Sequence, residues 1–346
     1  MVNTATYGGY LRHSFDLYLR IMIQIYILTV RNAAVASIAD CQHVFTMVNT
    51  FLTERGKKPL FDVKLAGITD EVKYNGGLFK ITPDVRLEAI QTADLIIIPA
   101  LTGDMTTAVM LNTPYSLWAV EQYKEGVEIA CLSSGVFLLA FSGLLKGKQC
   151  TTHWSYANEL KYFYPSIDVA DERMITDQHG LYSSGGGNAY WNLLLHLVEK
   201  YAGREIAIYA AKYFVIDLDK SIQSPFIVFH GLKDHHDEII KEVQLYIEKH
   251  YKNKLTVDEL AKQFNMSRRS FERRFKKATR NTVAEYIQRV KIEGAKKQLE
   301  IGRKSIQEVM VNVGYTDTQT FRDVFRRNTG MTPVEYKGKY SRKMLD

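Results

Sequence analysis

The sequence predicts an α/β domain followed by an all-α domain, and three observations predict it. From residue 22 to residue 215, short apolar runs rich in β-branched residues alternate with segments of helical period. That is the pattern of a sheet with helices on both faces. After Ile240 the strand pattern disappears, and only helical periods and tight turns remain. At 346 residues the chain exceeds what one ordinary core organises, so the change of pattern marks a change of domain.

The elements follow in order. Residues 1–21 form an N-terminal extension, and Met22 offers a second potential start. MIQIYILTV, FDVKLAGI, LIIIP and VEIACL read as buried parallel strands, because apolar runs without alternation suit strands covered on both faces. Helices are expected over Ile38–Leu52, Tyr115–Tyr123, Val136–Leu145 and Asn188–Tyr201. Together these make a doubly wound, mostly parallel, flavodoxin-like three-layer domain over 22–215. Ligands of such sheets sit beyond the carboxyl ends of the strands, here the turns after Val30, Pro99 and Leu132. Periodicity fails from 216 to 240, where Ser224-Pro225 and KDHHDE are expected to form a linker. His230, Asp234, His235, His236 and Asp237 cluster there, but adjacent His-His-Asp in a linker is ordinarily solvated, and no metal is expected. The second domain is expected over 241–346.

Composition narrows the function. With 46% hydrophobic and 24% charged residues, the chain is globular rather than disordered or fibrous. Residues 241–346 carry 25 Lys and Arg against 13 Asp and Glu, whereas residues 1–240 carry 20 against 25. A basic block beside a mildly acidic one is the electrostatic footprint of a nucleic-acid-binding module joined to a different kind of domain. Cys41, Cys131 and Cys150 are too widely spaced for a disulfide framework or a zinc site, which suits a reducing, cytoplasmic setting. Arg12 and Arg20 precede an apolar run in the manner of a signal peptide. That run, Ile21–Val30, is only about ten residues long, so no membrane span is expected.

The basic block contains an internal repeat. FERRFKKATRNTVAEY from Phe271 and FRDVFRRNTGMTPVEY from Phe321 align at an offset of 50, with six of sixteen positions identical. Upstream the offset is 49, and Val257, Leu260, Ala261 and Phe264 pair with Ile306, Val309, Met310 and Val313. Both sets fall at i, i+3, i+4, i+7, one apolar face of a short helix. Each short helix opens on a capping box, Thr256 with Glu259 and Ser305 with Glu308. Turns follow at Asn265-Met266-Ser267 and Gly314-Tyr315-Thr316, and then a second helix begins. Helix, tight turn, helix is the helix-turn-helix unit, whose second helix enters the major groove. Phe271 and Phe275 face the core, which turns Arg268, Arg269, Glu272, Arg273 and Lys276 outward. The second copy offers Thr318, Gln319, Arg322 and Asp323, with Arg326 nearer the backbone. Double-stranded DNA is the expected partner, and the helix Val283–Glu300 is expected to hold the two units apart.

Residues 241–340, including the closing TGMTPVEY, resemble the DNA-binding domain of AraC-type transcription regulators. Copy one departs from copy two in having Arg280 and Val283 where Gly330 and Pro333 stand. Met310 also occupies a position where a small residue is usual. The resemblance implies a transcription regulator that associates as a homodimer and leaves RNA polymerase open as a further partner.

The segment ACLSSGVFLLAFSGLLKGKQCTTHW resembles the nucleophile region of class I glutamine-amidotransferase-like, PfpI-type domains. In enzymes of that type a sharp turn lifts a Cys above the sheet, with a His nearby and an acidic residue near the first helix. Here the elbow residue is Ser133, Cys131 lies two residues back inside the strand, His153 matches the family's His, and Ser37 stands at the acidic position. Ser133 with His153 is the one pair that would serve a hydrolase or amidase. A serine with no third member to orient the imidazole makes a poor nucleophile, so a pocket retained for an unknown small-molecule effector is expected instead. Ser37, Ser133, Ser134, His153, Trp154, Gly186 and Asn188 are expected to line it, with Tyr190 beside them, and Asn192 replaces a usual acid. The run Ser184-Gly185-Gly186-Gly187-Asn188 precedes a helix but lacks a dinucleotide or P-loop fingerprint, so no cofactor is expected.

Overall fold

The computed structural model describes residues 22–218, 222–233 and 235–341. The expected N-terminal extension and Asp234 lie outside the described residues. The chain divides into two compact units, one ending at Gln223 and the other beginning at Ser224. The aperiodic stretch expected as a single linker is thus shared: Gln223 is buried in the first unit, and Ser224 opens the second.

The first unit is built on β1 (Ile23–Leu28), β2 (Phe61–Gly67), β5 (Val85–Arg86), β6 (Leu95–Ile98), β7 (Glu128–Cys131), β10 (Ile175–Gln178) and β11 (Leu181–Ser184). They form one sheet in the order β10-β11-β7-β6-β1-β2-β5. All pairings are parallel except β10 with β11. Ile25, Ile27, Ile96 and Ile97 are fully buried at the centre of the sheet, as uninterrupted β-branched runs require. A hairpin of β3 (Val72–Tyr74) and β4 (Phe79–Ile81) and a short pair, β8 (Gln149–Cys150) with β9 (Asp168–Val169), stand outside the main sheet.

The sheet is flanked by α1 (Val35–Glu54), α2 (Met105–Leu111), α3 (Thr113–Lys124), α4 (Val136–Phe141), α5 (Trp154–Phe163), α6 (Ala189–Ala202) and α7 (Arg204–Phe214). Helix α4 is shorter than the expected Val136–Leu145 and breaks into turns after Phe141. Strand order reverses at β1, which lies between β6 and β2. The turns beyond β1 and β6 are tied together by the Thr102 amide to the Asn32 carbonyl and by a bridge between Ala33 and Leu101. The crevice of such a sheet opens beside this reversal, next to the end of β7.

The second unit is all helix: α8 (Glu238–His250), α9 (Val257–Gln263), α10 (Arg268–Thr279), α11 (Val283–Ile301), α12 (Ile306–Asn312), α13 (Thr318–Thr329) and α14 (Pro333–Tyr340). Its apolar residues form two separate clusters that share α11. Leu260, Phe271, Phe275, Tyr286 and Val290 belong to one; Ile292, Leu299, Val309, Phe321, Phe325 and Tyr336 belong to the other. The repeat is structural in detail. Phe275 packs edge-on against Tyr286 at 5.3 Å and Phe325 against Tyr336 at 5.4 Å. Each tyrosine hydroxyl donates to a glutamate of an earlier helix, Tyr286 to Glu248 and Tyr336 to Glu300, both at 2.7 Å. Capping boxes form at Thr256 and Ser305, and again at Thr282 and Thr332. Arg280 and Gly330 both close their helices with positive φ, at 59° and 70°, so the departure at Arg280 leaves the local fold unchanged.

The His-His-Asp stretch is solvated only in part, with His230 and His236 exposed. His235 is buried, its Nε2 lies 2.9 Å from Gln244 Oε1, and Asp237 caps α8 while accepting from Nε and Nη2 of Arg274, both at 2.8 Å. Arg274 holds the Asp237 carboxyl below its ordinary range. No group of three or more metal-ligating side chains is present among the described residues.

Candidate DNA interface and elbow site

Helices α10 and α13 present the same outward face. Phe271, Phe275, Phe321 and Phe325 are fully buried, which by helical geometry turns the intervening residues to solvent. Arg268, Arg269, Glu272, Arg273 and Lys276 are exposed on α10, as are Thr318, Gln319, Arg322, Asp323 and Arg326 on α13. They are not equally available. Arg268 is held by Asp258 at 3.0 Å and Glu272 at 3.4 Å, and Gln319 donates to Asp323 at 2.9 Å. Arg269, Arg273, Lys276 and Arg322 form no ion pair among the described residues. Hydrogen bonds from Thr282 and Thr332 lower the carboxyls of the capping-box glutamates Glu285 and Glu335, with smaller contributions from Lys276 and Arg326, equivalent in the repeat.

The elbow in the first unit keeps the geometry of a nucleophile turn. Ser133 follows β7 with φ of 53°, a left-handed conformation that costs a non-glycine residue about 1–3 kcal/mol and persists only where the surroundings over-determine it. Here they do. The Ser133 amide donates to Ser184 Oγ at 3.0 Å, and its carbonyl accepts from Thr152 Oγ1 at 3.1 Å. Ser134 Oγ donates to the Leu101 carbonyl at 2.6 Å. Gly135 packs so tightly that a Cβ would lie 2.4 Å from the Pro99 carbonyl oxygen.

The chemistry of a nucleophile is arranged differently. Cys131 is buried in β7, and burial pushes its thiol well up, so it does not supply a thiolate. The Ser133 amide donates to Ser184 Oγ and the Gly135 amide to the Leu132 carbonyl. His153 caps α5: its Nδ1 accepts from the Ser155 amide at 3.1 Å and lies 2.7 Å from Ser155 Oγ. Burial lowers its pKa and favours the neutral ring. A backbone amide can only donate, so Nδ1 is the acceptor and the ring proton sits on Nε2. Ser37, at the acidic position, is buried and bound to backbone: its hydroxyl donates to the Ala34 carbonyl at 2.7 Å and accepts from the Ala100 amide at 3.1 Å.

The structure brings several expected residues together. The His153 ring lies on Gly186, where a Cβ would come within 1.8 Å of its Cδ2, and 5.2 Å from the Trp154 ring. Asn188 is exposed at the start of α6, and Asn192 turns away to the Asp217 carbonyl. Tyr190 donates to Asp40 on α1, a partner that the sequence does not signal. The sequence does not signal Gln223 either. It is 2% exposed, donates to Thr151 Oγ1, the Thr152 carbonyl and the Arg173 carbonyl, and accepts from the Gly186 amide at 3.3 Å.

Two family models match: the helix-turn-helix domain over residues 260–339 and the DJ-1/PfpI family over 45–200. The HTH-type transcriptional regulator GbdR of Pseudomonas aeruginosa (strain UCBPP-PA14) is 24% identical over 255 residues, 73% of this chain and 68% of the relative. The regulatory protein SoxS of Escherichia coli (strain K12) is 30% identical over 102 residues, 30% of this chain and 95% of the relative. A crystal structure of a candidate transcriptional regulator from Vibrio parahaemolyticus superposes with a TM-score of 0.50 at 19% identity, covering 56% of this chain and 98% of that one; it shares the fold of the α/β unit. The chain belongs to the AraC-type helix-turn-helix transcription regulators that carry a DJ-1/PfpI domain. No helix among the described residues is long and apolar enough to cross a membrane.

Proposed function

We propose that the chain is a cytoplasmic, ligand-responsive homodimeric regulator, in which a non-catalytic α/β domain senses a small molecule and both recognition helices read one duplex. The hydrogen bond from the Ser155 amide to His153 Nδ1 carries the non-catalytic reading. It leaves Nε2 as a donor, whereas a general base toward Ser133 needs a lone pair there. Backbone-occupied Ser37 supplies no acid to reverse that tautomer. The elbow, the His153 ring on Gly186 and the start of α6 remain as a polar rim for an effector.

The test is the pair Ser133→Ala and His153→Ala in the full chain. Both should leave the ligand-free fold and DNA affinity nearly intact and change the stabilisation produced by whichever small amine or acid raises the melting temperature of the wild type. Catalytic conversion of an amide or ester, abolished by Ser133→Ala, would make the domain an enzyme.

On the DNA side, Arg273 is exposed and free of ion pairs among the described residues. Arg273→Ala should cost about 1–3 kcal/mol at one base position if it grips a guanine edge. Affinities across single-base operator variants decide: an equal loss on every variant would place Arg273 on phosphate instead.

A further inference from the structure

Lys291, in the middle of α11, is only 7% exposed and has no carboxylate partner among the described residues. It marks the boundary between the two apolar clusters: Val283 to Val290 face the first, and Ile292 to Leu299 face the second. Its Nζ donates to three backbone carbonyls, Val313 at 2.9 Å, Gly314 at 3.3 Å and Asn253 at 3.2 Å. Three carbonyls use all three ammonium protons. Two of them belong to the turn of the second helix-turn-helix, and the third belongs to the loop that leads into the first.

The surroundings make this crossing tight. Gly314 has φ of 77°, and a Cβ there would lie 2.4 Å from the Lys252 carbonyl oxygen and 2.5 Å from Lys291 Nζ. The turn of the second helix-turn-helix is therefore pressed directly on the backbone entering the first. The Tyr315 ring lies 5.6 Å from the ammonium. The Tyr251 ring against Gly294 is a further crossing. Burying an ammonium is unfavourable unless its hydrogen bonds are satisfied, and desolvation lowers the Lys291 pKa accordingly. A packed apolar residue at this position would avoid that penalty and would leave the three carbonyls without a common donor.

We propose that Lys291 is a positioning residue for DNA recognition, a three-carbonyl brace that locks the two helix-turn-helix units in one relative orientation and so sets the spacing of the operator elements. It touches no base. It acts through the angle between α10 and α13, and the proposal rests on both units reading one duplex.

The test uses the full chain and an operator fragment selected by it from a random duplex pool. Affinity is measured on that fragment and on versions with the spacer between the two contacted elements longer or shorter by one base pair. The wild type should lose about tenfold in affinity on either altered spacer, because each base pair turns and shifts one element against a rigid reader. Lys291→Met, which keeps the length and removes the donors, should bind the selected fragment about tenfold more weakly and discriminate spacers by less than about threefold. Lys291→Arg, which still donates to the carbonyls, should restore discrimination. A folded Lys291→Met that keeps the wild-type spacing penalty overturns the brace while leaving two-unit reading in place. A wild type indifferent to spacing overturns both. If Lys291→Met does not fold, Lys291→Gln, with two donors for three carbonyls, carries the same opposed outcomes.

Discussion

Inserting five base pairs between the two contacted elements of the operator should abolish high-affinity binding, lowering it by about 10²–10⁴-fold, the gain that a tethered second module normally supplies. Five base pairs rotate one element by about half a helical turn, to the far side of the duplex. The prediction depends on the stiffness of the connection. Helix α11 has 19 residues, which makes it about 28 Å long, close to one turn of the double helix. It is packed along both halves by the two apolar clusters, and Lys291 braces its midpoint. An insertion of ten base pairs restores rotational phase but separates the elements by about 34 Å more, and a folded helix does not stretch. It should therefore fail almost as badly as the five-base-pair insertion. Full affinity after the ten-base-pair insertion would mean that the units are flexibly tethered; full affinity after the five-base-pair insertion would mean that only one of them reads DNA.

The parts of this molecule that were legible in the sequence are those whose partners are close in the chain. Thr256 and Glu259, Ser305 and Glu308, and Phe271 and Phe275 sit three or four residues apart, so spacing alone placed them on capped amphipathic helices. The strands Ile23–Leu28, Phe61–Gly67, Leu95–Ile98 and Glu128–Cys131 are uninterrupted apolar runs and were equally plain. Strand β11 was not. Its Ser183 and Ser184 look like turn residues, yet both are buried because Ser183 accepts from the Thr151 amide and Ser184 from the Ser133 amide, 32 and 51 residues away. The same distance hid the uses of other polar groups. Ser37 reads as a pocket hydroxyl, but the Ala100 amide claims it. Arg268 reads as a free DNA contact, but Asp258 holds it. Nothing near Lys291 in the chain signals the Val313 and Gly314 carbonyls that meet its ammonium. Gln223 lies in a stretch with no periodicity at all, so nothing in its neighbours announces that it is buried.

Gln223 carries the second large prediction. It is the last residue of the α/β unit, and Ser224 begins the DNA-binding unit. Its amide group joins the Thr152 carbonyl, the Arg173 carbonyl and the Gly186 amide. Thr152 in turn donates to the Ser133 carbonyl, and Gly186 supports the His153 ring. Gly186 is thus one step, and Ser133 and His153 two steps, from the residue at which the chain leaves the α/β unit. On the proposed reading, an effector that shifts the Gly186 turn or the His153 ring disturbs the hydrogen bonds of Gln223, at the point where the chain enters the helical unit. Gln223→Ala should uncouple the two. Coupling between sites in regulators is typically about 1–3 kcal/mol, a 5–150-fold change in affinity, and in the variant the operator should bind almost equally with and without effector. The effector itself should still raise the melting temperature of Gln223→Ala, which separates lost transmission from lost binding. The ligand-free α/β unit should also lose about 1–3 kcal/mol, because the buried Thr152 carbonyl and the Gly186 amide lose this partner, while the Arg173 carbonyl keeps Thr151 Oγ1. A stably folded Gln223→Ala that retains the wild-type effector-dependent change in DNA affinity would show that the signal leaves the domain by another path.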